Sequence, residues 1–226
     1  MTPEEFFQPC VIPSPDSVVA VGGQVSLPYL VYAYRNGIYP MCDDRYETEW
    51  HCPDPRFVVV PSLVKVSKTM RQLLRRAPFR VTVNHAFRSV LHECATVPRR
   101  EALGTWLTPQ LQAVLYEMHE AGLAHSVEVW QGEELVGGLY GIYFGNLFCG
   151  ESMFAKVSNA SKTGFITFAH FLEKRGCQVI DCQMYTPHLH SLGGIAVDGD
   201  AFVLFAKRQP LTMLFPDAPM QQITLV

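Results

Sequence analysis

Between residues 108 and 154 the chain leaves itself few folds to choose from. Thr108-Pro109 is a helix start, a capping hydroxyl followed by proline at the first helical position, and Gly122 stops the helix it opens. Three runs rich in β-branched and aromatic residues follow, over 125–131, 135–144 and 147–154. Only short turns containing Gly132 and Gly145-Asn146 separate them. Connections this short join antiparallel neighbours, because a parallel crossover needs about a dozen residues or more. The middle of the chain is therefore expected to be a three-stranded antiparallel meander behind a helix.

The flanking pattern extends this to an α+β order. Upstream, 57–60 reads as a strand, and Ser62 can cap a helix running to Ala77. Leu63, Val66, Met70, Leu73, Leu74 and Ala77 then fall on one stripe, with the basic side chains opposite. A strand over 80–84 and a helix over 84–95 come next. Downstream, a helix over 159–175 is closed by Gly176, a strand spans 178–184, and a short helix covers 198–208. The first 56 residues are irregular, punctuated by Pro13-Ser14-Pro15-Asp16, Gly22-Gly23, Gly37 and Pro40, with one helix over 28–36. Pro53-Asp54-Pro55-Arg56 reads as a stiff linker. The expected organisation is a small N-terminal domain over 1–56 and a second domain over 57–226.

Charge narrows the partners. The net charge of −3 hides a segregation: Ser62 to Arg80 holds six basic residues and no acidic one, while the rest of the chain carries 12 basic and 21 acidic. Such a block can steer a polyanion to one face of an acidic protein. Seven irregularly spaced cysteines without a Cys-x-x-Cys pair argue against a disulfide framework or zinc ribbon. Met1-Thr2-Pro3-Glu4-Glu5 has neither the basic nor the apolar part of a secretory signal. The uncharged run Leu135 to Gly150 is only 16 residues, five of them glycine, and cannot span a bilayer. A cytoplasmic protein without membrane contact is expected.

Specific strings go further than patterning. Gly104-Thr105-Trp106, His125-Ser126-Val127-Glu128-Val129-Trp130, Leu135-Val136-Gly137-Gly138, Leu147-Phe148-Cys149-Gly150-Glu151-Ser152-Met153-Phe154, Asn159-Ala160-Ser161-Lys162-Thr163 and Ile180-Asp181-Cys182-Gln183, with His188 and Ser191-Leu192-Gly193, closely resemble the leucyl/phenylalanyl-tRNA–protein transferases. The resemblance runs from about Pro13 to about Gly194 and is dense from Gly104 onward. It implies a small N-terminal domain and a C-terminal domain of the acetyltransferase (GNAT) superfold. It also implies transfer of Leu, Phe or Met from aminoacyl-tRNA to proteins beginning with Lys or Arg, which marks them for N-end-rule degradation. No metal or organic cofactor goes with it, and a monomer is suggested.

That chemistry needs positioning and electrostatic stabilisation rather than a covalent nucleophile, since the tRNA ester is already activated. Asp181 and Gln183, two apart on an expected strand, would leave the same face. A carboxylate there can hold the acceptor's ammonium, and an amide can orient it or relay a proton. The resemblance gives both positions this role and leaves open whether the aspartate is a base or only binds. Glu151, on the facing strand, is the acidic partner, available to the ribose or to the acceptor's cationic side chain. The same resemblance assigns the donor side chain to an apolar slot of Leu139, Phe148, Phe165, Phe168, Leu172 and Ile180, and the terminal adenosine to Trp106. Met41 stands where the family has a stacking tryptophan, and His51 replaces a second one beside Trp50. Leu139 stands where Met is frequent, and Leu172 where Phe is. Lys65, Lys68, Arg71, Arg75 and Arg76 are the expected tRNA contacts, and His188 would support the site loop.

Two other readings compete. An acetyl-CoA-dependent N-acetyltransferase would need an Arg/Gln-x-x-Gly-x-Gly/Ala turn at a helix N-terminus, and the chain has none. A non-catalytic tRNA-binding module would explain the basic block but not the acidic pair Glu151 and Asp181. Cys42 with His51-Cys52, or His188 with His190, has no fourth ligand at a usual metal spacing.

Overall fold

A computed structural model describes residues 1–7, 13–14, 16–43, 45–96, 106–215, 217 and 221–226. Gly104, Thr105 and Pro15 lie outside these. The elements run α1 (Pro3–Phe6), β1 (Val18–Val21), α2 (Leu27–Arg35), β2 (Tyr39–Asp43), β3 (Tyr46–His51) and β4 (Arg56–Val59). A single 3-10 turn (Pro61–Leu63) leads to α3 (Lys68–Arg76), β5 (Arg80–Val83), α4 (Phe87–Thr96) and α5 (Pro109–Glu120). The meander follows as β6 (Ala124–Gln131), β7 (Glu134–Phe144) and β8 (Leu147–Ala155). Then come α6 (Ala160–Lys174), β9 (Val179–Asp181), α7 (Pro187–Ser191), β10 (Ile195–Val197), α8 (Gly199–Lys207) and β11 (Ile223–Thr224).

The fold is mixed α/β. Eight strands form one sheet in the order β10-β4-β9-β8-β7-β6-β5-β11, and a separate sheet has the order β1-β3-β2. The meander pairs antiparallel as its turns require, and β8 with β9 is the parallel pair, joined through α6. β7 sits mid-sheet and is buried along most of its length, as a strand covered on both faces must be. One face carries Leu139 and Tyr143 into a core with Phe165, Phe168 and Leu172 of α6. The other carries Tyr140, Ile142 and Phe144 into a core shared with α2, α4, α5 and α8. Gly141 is needed at the crossing, where a Cβ would collide with the Cys149 carbonyl and the Phe148 ring. No helix among the described residues is long and apolar enough to cross a membrane.

Three expectations are corrected. The first 56 residues, expected to be irregular apart from one helix, carry β1, β2 and β3 paired antiparallel into the second sheet. The helix expected from Ser62 begins only at Lys68, capped by Ser67, whose hydroxyl accepts the Met70 N–H at 3.2 Å. The segment between is held extended by the Lys65 N–H donating to the Leu192 carbonyl at 2.9 Å, and β-branched Val64 and Val66 suit that conformation. Lys65 is therefore off the helix, and Leu63 is exposed rather than part of an apolar stripe. The strand expected over 178–184 ends at Asp181, because Gln183 takes a left-handed backbone at φ 65°.

Part of the family-like sequence turns out to be framework. The Glu128 carboxylate, fully buried, accepts hydrogen bonds from the Thr82 and Ser126 hydroxyls and the Ala86 N–H. Trp130 Nε1 donates to Thr82 Oγ1 at 2.8 Å, tying β6 to β5.

Candidate active site

The parallel pair creates the site. β8 and β9 run in register through Phe148–Ile180 and Cys149–Asp181, after which β9 stops and β8 continues to Ala155. The sheet opens where one strand ends, beyond the carboxyl ends of a parallel pair, which is where open α/β sheets bind ligands. The resulting cavity has a volume of about 550 Å³. Leu139, Phe148, Phe165 and Ile180 form an apolar wall; Trp106 and Met41 also line it. Glu151 and Gln183 bring polar groups, and Met184, Thr186, His188 and Leu189 of the following loop complete the lining.

Gln183 reaches Glu151 directly, its Nε2 donating to Oε1 at 2.8 Å. The two expected partners therefore meet, although they do so from a turn and a strand rather than from two strand faces. Burial pushes the Glu151 carboxyl up to about 8, against the lowering influence of the nearby Tyr34 hydroxyl. Its proton is thus exchangeable near neutral pH. His188 lines the cavity with no hydrogen-bond partner on Nε2, and burial, then the Lys162 charge, lowers its pKa.

Asp181 sits elsewhere than expected. It is fully buried and does not line the cavity. Its carboxylate accepts Arg56 Nε at 2.8 Å on one oxygen and Arg56 Nη2 at 2.6 Å on the other. The first oxygen also accepts the Gln183 N–H at 2.9 Å, which fixes the turn at φ 65°. With three hydrogen bonds accepted and no surface in the cavity, Asp181 does not meet an incoming ammonium directly in this arrangement. Arg56 was missed in the sequence, where the only hint is a lone charge at the head of the apolar run Phe57-Val58-Val59.

Phe168 and Leu172 lie behind the wall rather than on it. Phe168 packs edge-on against Phe148 with ring centroids 5.0 Å apart, and both side chains are buried in the core beneath. Trp50 is also core, its Nε1 donating to the Gly22 carbonyl at 2.8 Å. Lys65, Lys68, Arg71, Arg75 and Arg76 are exposed, the last four on α3, whose Met70 is turned inward.

Comparison with known proteins fits this layout. The family model described as leucyl/phenylalanyl-tRNA protein transferase matches residues 58–207, and that family's N-terminal domain matches residues 23–54. Proteins named leucyl/phenylalanyl-tRNA–protein transferase include one from Pseudomonas aeruginosa, 47% identical over 194 residues, 86% of this chain and 85% of its own. Another, from Christiangramia forsetii, is 44% identical over 207 residues, 91% of this chain and 98% of its own. One from Flavobacterium johnsoniae is 43% identical over 202 residues, covering 89% and 95%. With the family model matching through both ends of the cavity, the chain belongs to the leucyl/phenylalanyl-tRNA protein transferase family.

Proposed function

We propose that the cavity transfers an aminoacyl group, Leu, Phe or Met, from tRNA to the N-terminal Lys or Arg of an acceptor protein, the product being an N-end-rule substrate. The observation that carries this reading is an apolar slot ending at the Glu151–Gln183 pair. The donor side chain lies along Leu139, Phe148, Phe165 and Ile180, and its ester carbonyl comes to the polar end. Trp106 and Met41 flank the 3′ adenosine. Incubating the protein with radiolabelled Leu-tRNA and a peptide beginning with Arg tests it; no label in the peptide ends the reading. The large sheet is read as acetyltransferase-like, on the strength of its parallel β8–β9 opening. The chain is read as two domains meeting near residue 56, since no strand is shared between the two sheets.

The acceptor's α-ammonium must lose a proton before its nitrogen can attack the ester carbon. With its amide N–H on Glu151, Gln183 has its carbonyl oxygen left to receive the ammonium. In its ionised form, whose population grows as pH approaches about 8, Glu151 accepts one proton from a group of about the same affinity, since α-amines titrate near pH ~8. The C–N bond forms, the nitrogen gives up a second proton as the ester C–O bond breaks, that proton leaves on the ribose oxygen, and the first passes from Glu151 to water. The raised Glu151 pKa has a further consequence. A carboxyl held neutral by burial adds stability that is full below its unfolded pKa and is lost as pH rises through about 8. Thermal melts should therefore show the wild type losing stability from about pH 5 to about pH 8 relative to Glu151→Gln. Parallel melting curves for the two proteins would remove Glu151 from this role.

The exposed α3 cations are read as phosphate contacts, releasing counterions on binding. Changing Arg71, Arg75 and Arg76 together to Gln should weaken tRNA affinity and flatten its dependence on salt. Transfer from a minimal aminoacyl-adenosine should hardly change, because that donor has no acceptor stem. An unaltered slope of log affinity against log salt would make this stretch ordinary solvated surface.

A further inference from the structure

We propose that Arg56 is a positioning residue, which sets Gln183 through Asp181 and ties it to the segment that carries Met41. The inference rests on the cavity being an aminoacyl-transfer site, and assigns its acceptor end and its adenosine end to one buried guanidinium.

Every donor atom of Arg56 has a defined use. The fork of Nε and Nη2 grips both oxygens of Asp181, and Nη1 donates to the Gly37 carbonyl at 3.0 Å. The guanidinium carbon lies 5.0 Å from the Tyr39 ring centroid and 4.5 Å from that of Phe202. Gly37 leads into β2, which Tyr39 opens and in which Met41 lines the cavity. From Asp181 the chain of contacts passes to the Gln183 N–H and, through the Gln183 side chain, to Glu151. Asp181 has no surface in the cavity, so its route to the reacting atoms is this one.

Holding strands β4 and β9 together does not by itself call for such a pair. Apolar side chains of similar volume frequently do as well as a buried ion pair, or better. What they cannot do is accept the N–H of a glutamine held at positive φ. A lysine keeps the charge but offers a single point rather than a planar fork, so it cannot engage both Asp181 oxygens and the Gly37 carbonyl together.

Arg56→Lys and the double variant Arg56→Met/Asp181→Leu separate the two roles. Each would be melted thermally and then assayed, where folded, with Leu-tRNA and an Arg-initiated peptide, recording kcat and the peptide KM separately. Arg56→Lys should fold and lose about 100-fold in kcat, the scale of a misplacement of roughly 1 Å at a reacting group, with the peptide KM little changed. The double variant should melt close to the wild type yet turn over no faster than Arg56→Lys. Wild-type kcat in either folded protein, or a loss confined to KM, overturns the proposal. Should the double variant fail to fold, kcat in Arg56→Lys decides alone. Absence of transfer by the wild type itself would instead sink the functional reading.

Discussion

Asp181→Ala should reduce transfer by at least about 100-fold and cost roughly 3–5 kcal/mol of stability, the range for removing one partner of a buried ion pair. The two losses have separate origins. Stability falls because the Arg56 guanidinium, 1% exposed, is left charged and without the carboxylate that gripped it. Transfer falls because the Gln183 N–H loses its acceptor, and a non-glycine residue at φ 65° needs such support to stay there. Urea denaturation measures the first effect; transfer by the folded fraction, verified by circular dichroism, measures the second. Asp181→Asn keeps the shape and loses the charge, so it should fall between the wild type and Asp181→Ala in both. Wild-type turnover in a folded Asp181→Ala protein would remove Asp181 from any part in the reaction.

Why this residue was legible but its role was not is a matter of distance along the chain. Arg56 and Asp181 are 125 positions apart, so no local pattern joins them. The string Asp181-Cys182-Gln183 suggested two side chains on one strand face, and strand period alone gives that answer. Gln183 leaves the strand through a left-handed turn, and glutamine, unlike glycine or asparagine, carries no sign of that conformation. The meander, by contrast, was written in the turn residues and in the runs between them, where local chemistry and tertiary demand agree. Ser62 and Ser67 are both plausible helix caps; tertiary pairing of Lys65 with Leu192 chose the second. Phe165 and Phe168 occupy one helical face at a spacing of three, and periodicity cannot say which of them reaches the cavity. The string His125-Ser126-Val127-Glu128 carries part of the family resemblance, yet it anchors β6 and none of its residues lines the cavity.

Phe168 supplies the second large effect, and it acts at one remove. Its ring is 2% exposed, set edge-on to Phe148 at 5.0 Å and near-parallel to Phe171 at 5.9 Å. Truncation to Ala should cost about 3–5 kcal/mol, the transfer free energy of the lost ring plus the cavity left beneath the wall. That cavity lies directly under Phe148, which lines the donor slot. A wall able to sink should widen the slot, and a Leu side chain will then fill it poorly. Phe168→Leu leaves a smaller void, so it should be milder in both stability and Leu transfer. Because pockets of this kind discriminate by only about 1–3 kcal/mol per methyl-sized difference, competition between Leu-tRNA and Phe-tRNA is the sensitive measurement. Phe168→Ala should shift that competition toward the bulkier Phe, and Phe168→Leu should shift it less. If both variants transfer Leu equally well and compete as the wild type does, the packing of Phe168 does not reach the donor, and its place is purely in the core.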